Sequence, residues 1–309
     1  MMRSLLFSAC HVLLQMPKIL QPESRLTFGV LLMLGAFLCF ALMDTSAKWL
    51  VTAAIPAIQV AFLRYFFHFS CAMAVYAPRH GWAITQSKKP QVQALRAVFL
   101  LSATTLNFSA LKYLPLTLTI GIFFAAPLVV CLLSRPVLGE IVGIRRLSAV
   151  LVGFIGVLVM LEPWGESFDW HVILAIGAML CASGYFVMSR LVANVDGNAV
   201  TQFFTSGIAM VALAPFALWH GNWPDSAAQW GLGFLLGALG MLGHSMLTRA
   251  HRYAEASVLA PTVYSQMIYI AILSWVVFGQ PPESHTILGT VIVVSSGLYI
   301  WARERKKAG

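Results

Sequence analysis

Ten apolar runs, each long enough or nearly long enough to cross a lipid bilayer, divide this chain from end to end. They cover residues 28–50, 57–77, 93–111, 115–134, 146–161, 171–191, 199–219, 230–249, 256–278 and 286–302. A spanning helix needs about 20 largely apolar residues at about 1.5 Å rise each. Runs 146–161 and 286–302 are the shortest of the set. The breaks carry Pro56, Pro78 with Gly81, Pro163 with Gly165, Asp196-Gly197, Pro224 and Pro281-Pro282, which punctuate helices. Charged residues make up only 10% of the chain, against about 25% in soluble domains, so a water-facing surface would be left bare. The reading is an all-α integral membrane protein with the lipid bilayer as its solvent.

The net charge of +9 does not point to nucleic acid, because the basic residues sit in short segments between apolar runs. With the N-terminus inside, 17 of the 20 Lys and Arg, Arg96 included, fall in inner segments. Lys48 and Lys112 fall at outer ends, and Arg64 lies within a span. This bias sets the orientation, with both termini cytoplasmic and the acidic stretch EPWGESFDWH (162–171) outside. Cysteines 10, 39, 71, 131 and 181 include no CxxC or Cys/His metal spacing, and neither a metal nor a cofactor is expected. Residues 1–27 read as an interfacial helix or an overextended start, with Met16 as another start. RSLLFSACHVLL has a signal peptide's basic start and apolar run but lacks a small-x-small cleavage site.

The two halves repeat. At a shift of 142, GAFLCFALMDTSAKWL (35–50) meets GAMLCASGYFVMSRLV (177–192), pairing Gly35 with Gly177 and Cys39 with Cys181. At a shift of 140, Tyr113 meets Tyr253, Ser134 meets Ser274 and Gly139 meets Gly279. Two units of five helices follow, 28–161 and 171–302, with a basic tail at 303–309. Because five is odd, the second unit enters the membrane inverted, so the expected fold is ten transmembrane helices as a 5+5 inverted repeat. Binding sites in such repeats lie near the midplane, between the units.

Arg64 stands inside the second run, where a charge costs about 2.5–3.5 kcal/mol at mid-bilayer. Asp44 and Arg64 each lie roughly 9–10 Å below the outer boundary, so they can meet. Lys48 and His68 follow them at i+4, on the same faces. Two readings stand together: an Asp44–Arg64 ion pair that pins the first two spans, and a ligand site where the Arg64 fork holds a carboxylate or phosphate. The second half offers Tyr264, Gln266, Tyr269 and His244, and the spans between add Asn107, Phe124 and Tyr185. Rings supply stacking faces, and amides and imidazole supply hydrogen bonds. Asp44 is the one carboxylate well inside a span, hence the one proton carrier expected there. Glycines 233, 237, 240 and 243 give the eighth span a small face, and Gly153 and Gly156 the fifth, for close contact within the bundle or in a dimer. Monomer and homodimer both remain open.

LSRPVLGE (133–140) closing the fourth span and GFIGVLVMLEP (153–163) in the fifth, within a 5+5 repeat, resemble the drug/metabolite transporter superfamily, EamA type, over residues 28–303. D-x-x-x-K-W-L (44–50) with VAFLRYFF (60–67) is similar to the bacterial S-adenosylmethionine importers, and RYAEASVLAPTVY (252–264) to these and to the riboflavin importers. One departure is Gly279-Gln280, opposite Gly139-Glu140, where the family often has an acid. The resemblance implies a multi-pass inner-membrane secondary transporter that moves a small organic metabolite by alternating access. Its site would be lined by spans 1–4 and 6–9. A carboxylate-bearing or zwitterionic cargo with a planar part, such as S-adenosylmethionine, fits the residues. A broad-specificity amino-acid or drug exporter and a riboflavin importer are the alternatives within the class. A membrane-integral enzyme is the rival outside it, and no HExxH, DDxxD, GxSG or P-loop occurs.

Overall fold

The computed structural model describes residues 22–114, 116–123, 125–140, 143–161, 170–219, 223–279 and 284–308. Every regular element among them is helical. The first half contains α1 (Pro22–Thr52), α2 (Ala57–His80), α3 (Pro90–Tyr113), α4 (Leu116–Phe123), α5 (Ala126–Leu133) and α6 (Ile144–Leu161). The second contains α7 (Val172–Ala193), α8 (Asn198–Trp219), α9 (Ala227–Ala250), the single turn α10 (Ala256–Leu259), α11 (Ser265–Phe278) and α12 (Ser284–Ala308). Among the described residues, seven segments are long and apolar enough to cross a membrane: Arg25–Thr52, Ala57–Thr85, Pro90–Tyr113, Val172–Ala193, Asn198–Trp219, Ala227–Ala250 and Pro261–Phe278. Ala126–Leu138 and Leu147–Gly156 are shorter apolar helices. Large apolar side chains such as Leu31, Ile176, Val211 and Val276 are exposed on the outer surface, as a chain solvated by lipid requires.

The fourth and ninth runs, read as single spans over 115–134 and 256–278, are each divided into shorter helices. Ala125 turns the chain between α4 and α5, and Pro127 lies in the first turn of α5. A 3₁₀ turn, Ala260–Tyr264, with Pro261 in it, separates α10 from α11. Proline cannot donate to the preceding turn, so each break falls where the backbone ladder is already interrupted. A π turn, Ser134–Leu138, follows α5 and ends on Gly139 at φ 69°. Gly279 ends α11 at φ 68°, a left-handed conformation that favours glycine. Two glycines equated by the 140-residue shift thus perform the same cap.

The most extensive helix contacts cross between the halves: α1 with α9, α2 with α8, α2 with α9, α3 with α7, and α6 with α12. The glycine face of α9 makes the first and third of these possible. A methyl group on Gly243 would lie 2.6 Å from Phe40, and one on Gly237 would lie 2.3 Å from the Cβ of Phe67. Gly153 of α6 lies equally close to the ring of Tyr264. These small residues therefore serve contacts within the chain.

Arg96 departs from its reading as a cytoplasmic charge. It lies seven residues into α3, has no exposed surface, and is enclosed by α3, α7, α8 and α9.

Candidate functional site

A cavity of about 90 Å³ lies between the halves, lined from α1, α2, α3, α4, α7, α9, the 3₁₀ turn and α11. Six of the side chains expected at a binding site line it: Asp44, Arg64, Asn107, Tyr185, His244 and Gln266. Rings of Phe37, Phe40, Phe108, Phe123 and Phe186 form much of the remaining wall. About 10–15 Å³ of such volume holds one water, so this cavity has room for about six to nine waters.

Asp44 and Arg64 share the cavity without pairing with each other, contrary to the ion-pair reading. Asp44 accepts hydrogen bonds from Gln266 Nε2 at 2.9 Å and Asn107 Nδ2 at 3.5 Å. Arg64 donates through Nη1 to the Thr104 hydroxyl and through Nη2 to His244 Nε2, the latter at 2.8 Å. Its guanidinium also stands 4.9 Å from the centre of the Tyr65 ring. The reason is reach: α9 and α3 put neutral acceptors beside the guanidinium, while α11 and α3 put amide donors beside the carboxylate. Two opposite charges are thereby held apart across one space. Arg64 Nε and Asn107 Oδ1 are buried and have no hydrogen-bond partner, which marks both poles as under-satisfied.

The polarity of the network follows from Arg64, because a guanidinium only donates. His244 Nε2 must accept, so its proton sits on Nδ1, which donates to the Tyr185 hydroxyl oxygen at 2.8 Å. Arg96 Nη2 donates to the same oxygen at 2.6 Å. Both acceptor positions of Tyr185 are then occupied, and its own O–H proton remains to be given. The positive pole of the cavity therefore offers donors from Arg64, backed by the Tyr185 hydroxyl that His244 and Arg96 hold. The other pole offers acceptors, from Asp44 and Asn107 Oδ1.

Four expected residues are placed elsewhere. Lys48 Nζ donates to the carbonyls of Leu111 and Leu114, at 2.9 and 3.4 Å, and so caps the C-terminal end of α3. His68 is fully buried against Gln202 of α8, 2.7 Å from its Oε1, and stacks on the His244 ring at 5.8 Å. The Tyr264 hydroxyl donates to the Val150 carbonyl of α6 at 3.1 Å. Tyr269 packs against the hydrophobic core. Phe124 lies outside the described residues. The sequence reading missed Thr104 and Arg96 as members of the network. For Arg96 the signal was present, since 96 falls inside the apolar run 93–111 just as 64 falls inside its own.

At one end of the bundle, carboxylates tie the halves together. Asp196, in the α7–α8 turn, accepts from the Ser87 hydroxyl at 2.5 Å, from Gln93 Nε2 at 2.9 Å and from the Lys88 N–H at 2.9 Å. Burial pushes its pKa up, but these three hydrogen bonds outweigh burial and hold it below the usual carboxylate value. Glu140 pairs with Arg190 at 3.4 Å and accepts from the Ala256 N–H at 3.1 Å.

Comparison with known proteins agrees with this architecture. The EamA-like transporter family matches twice, over residues 27–162 and 169–302. The chain is 28% identical over 278 residues to the S-adenosylmethionine uptake transporter of Rickettsia prowazekii, covering 90% of this chain and 94% of that one. It is 28% identical over 290 residues to the riboflavin transporter of Vibrio cholerae, covering 91% and 95%. It is 24% identical over 282 residues to the pseudopaline exporter of Pseudomonas aeruginosa, covering 91% and 97%. A crystal structure 19% identical in sequence superposes with a TM-score of 0.71 over 90% of this chain and 98% of the other, and shares its fold. With both repeats matched and a bundle of membrane-crossing helices around a polar cavity, this multi-pass inner-membrane chain belongs to the EamA-like transporter family.

Proposed function

We propose that the chain moves a small organic metabolite with a zwitterionic or carboxylate-bearing head and a planar apolar body across the inner membrane, by alternating access of two inverted five-helix units. The observation that carries this reading is that Asp44 and Arg64 line one cavity without a direct hydrogen bond between them. A cargo carboxylate would take the donors of Arg64, and a cargo ammonium the acceptors of Asp44 and Asn107. The phenylalanine rings would cover an aromatic body. The exchange-symmetric helix contacts support the inverted repeat, since α1 meets α9 as α7 meets α3, while α2 meets α8 and α6 meets α12. S-adenosylmethionine has such a head and such a body, and relatives bear its name. The ring-lined wall also favours a second reading, a planar neutral cargo such as riboflavin, whose name other relatives bear.

Uptake of a labelled metabolite panel into proteoliposomes tests the proposal. Compounds with an amino-acid head and an aromatic body should enter unchanged, and Asp44→Asn and Arg64→Gln should each abolish that uptake. Equal uptake by both variants would remove the head-group reading. Uptake of riboflavin indifferent to both would favour the second reading.

A further inference from the structure

Arg96 is a second buried cation in the same network. It gives hydrogen bonds to four hydroxyls: Ser189 at 2.7 Å, Tyr185 at 2.6 Å, Thr248 at 3.2 Å, and Thr205. Its guanidinium stands 4.5 Å from the centre of the Tyr185 ring. No carboxylate pairs with it among the described residues, nor with Arg64. Hydroxyl oxygens satisfy its N–H groups but leave its charge in a low-dielectric interior, where an uncompensated ion is costly. Asp44 offsets at most one of the two guanidiniums. A zwitterionic head brings no net charge, so it leaves this excess in place.

The pathway from Arg96 to the cavity is one side chain thick. Tyr185 forms the cavity wall on one face and receives Arg96 on the other. The oxygen that accepts from Arg96 also accepts from His244, whose other nitrogen accepts from Arg64. The two cations therefore bracket a single bridge, Tyr185–His244, and polarise it in the same sense.

We infer that the cavity is built for a cargo of net negative charge, with Arg96 as a second anion-stabilising residue acting through Tyr185. In chemical terms the cargo is an amino-acid-like head bearing one further carboxylate or phosphate. This rests on the head-group reading above and narrows it. It also disfavours a cargo whose total charge is positive, including S-adenosylmethionine with its sulfonium.

Three probes that share a head and a ring but differ in charge test this: 4-carboxyphenylalanine (net −1), phenylalanine (net 0) and 4-aminomethylphenylalanine (net +1). Their affinities for the purified full chain are measured by isothermal titration at constant ionic strength. The expected order is carboxy over unsubstituted over aminomethyl, with about tenfold or more between the ends of the ladder for a charge within about 10 Å. In Arg96→Gln the ratio between the ends should collapse, and in Arg96→Lys it should persist. A purely structural Arg96 would lower the melting temperature in both variants and leave the ratio as in the parent chain. Equal affinities, or a preference for the aminomethyl probe in the parent chain, would overturn the inference while leaving the head-group reading intact. Failure of all three to bind would overturn both. The ladder in the parent chain decides the matter even if Arg96→Gln does not fold.

Discussion

Gly237 of α9 packs directly on the backbone of α2 at Phe67 and His68, and replacing it by alanine should cost both stability and binding. The added Cβ would lie 2.3 Å from Phe67 Cβ, 2.5 Å from the His68 nitrogen and 2.6 Å from the Phe67 carbonyl carbon. Two of these atoms are backbone, so no side-chain rotation relieves the clash. Restoring an ordinary contact of at least 3.4 Å requires α2 and α9 to part by about 1.1 Å. Arg64 is on α2 and His244 on α9, and their hydrogen bond measures 2.8 Å. A separation of that size stretches it past the range where a hydrogen bond survives. Overpacking costs about 1–3 kcal/mol, loss of a hydrogen bond to a charged group about 1.5–3, and the helix preference of alanine over glycine returns up to about 1. The expected net loss is about 1.5–6 kcal/mol. Thermal unfolding in detergent reads it as a lower melting temperature, and titration with the best-bound metabolite reads a weakened site. Gly231→Ala is the internal control, because no atom lies within 4 Å of a Cβ there. If Gly237→Ala melts with the parent protein and Gly231→Ala, the close approach of α2 and α9 is not what seats Arg64.

Further expectations follow from the same geometry. Because Asp44 and Arg64 hold separate partners but share one cavity, the double variant Asp44→Asn/Arg64→Gln should recover only a small part of the summed fall in melting temperature; recovery of most of the loss would indicate a direct pair. Asp196 has a depressed pKa when folded, so its hydrogen bonds contribute fully above the unfolded value of about 3.9 and are lost as pH falls through the folded one. Melting curves from pH 6 to pH 3 should therefore show an acid-side fall that is shallower in Asp196→Asn; matching slopes would count against this role. In intact cells, an impermeant thiol reagent should label a cysteine placed at Gly165 and spare one placed at Gln86, and the reverse pattern would invert the topology. Arg64→Lys keeps the charge but loses the fork, and should weaken binding of a carboxylate-bearing cargo about tenfold by titration.

The helices were largely legible because lipid dictates their length, and runs of apolar residues record that demand directly. Broken helices were less so: Pro127 and Pro261 marked the places, yet prolines within α2 and α8 leave those helices continuous. Arg64 and Asp44 were legible because charge in an apolar run is expensive and must face something polar. Their partners were not, since depth along a helix says which residues can meet and not which neighbour arrives first. Lys48 and His68 show the same limit. Spacing of i+4 put them on the faces of Asp44 and Arg64, but one turn further along the neighbours have changed to the end of α3 and to Gln202. Arg96 was hidden by its use in a charge count, where a residue near a helix start passes for a loop residue.

The cavity lies between helices of both halves, and that placement has a mechanical meaning. A seat that opens only when helices part makes every binding event include the work of parting them, so measured affinity reports the fit minus that work. The same space is a reserve of unused packing. Ala103 and Ala182 are small buried residues on its wall, and longer apolar side chains there would fill it with contacts the parent chain lacks. Such a chain would be harder to melt and slower to turn over, a bundle made sturdier by removing the slack its motion uses.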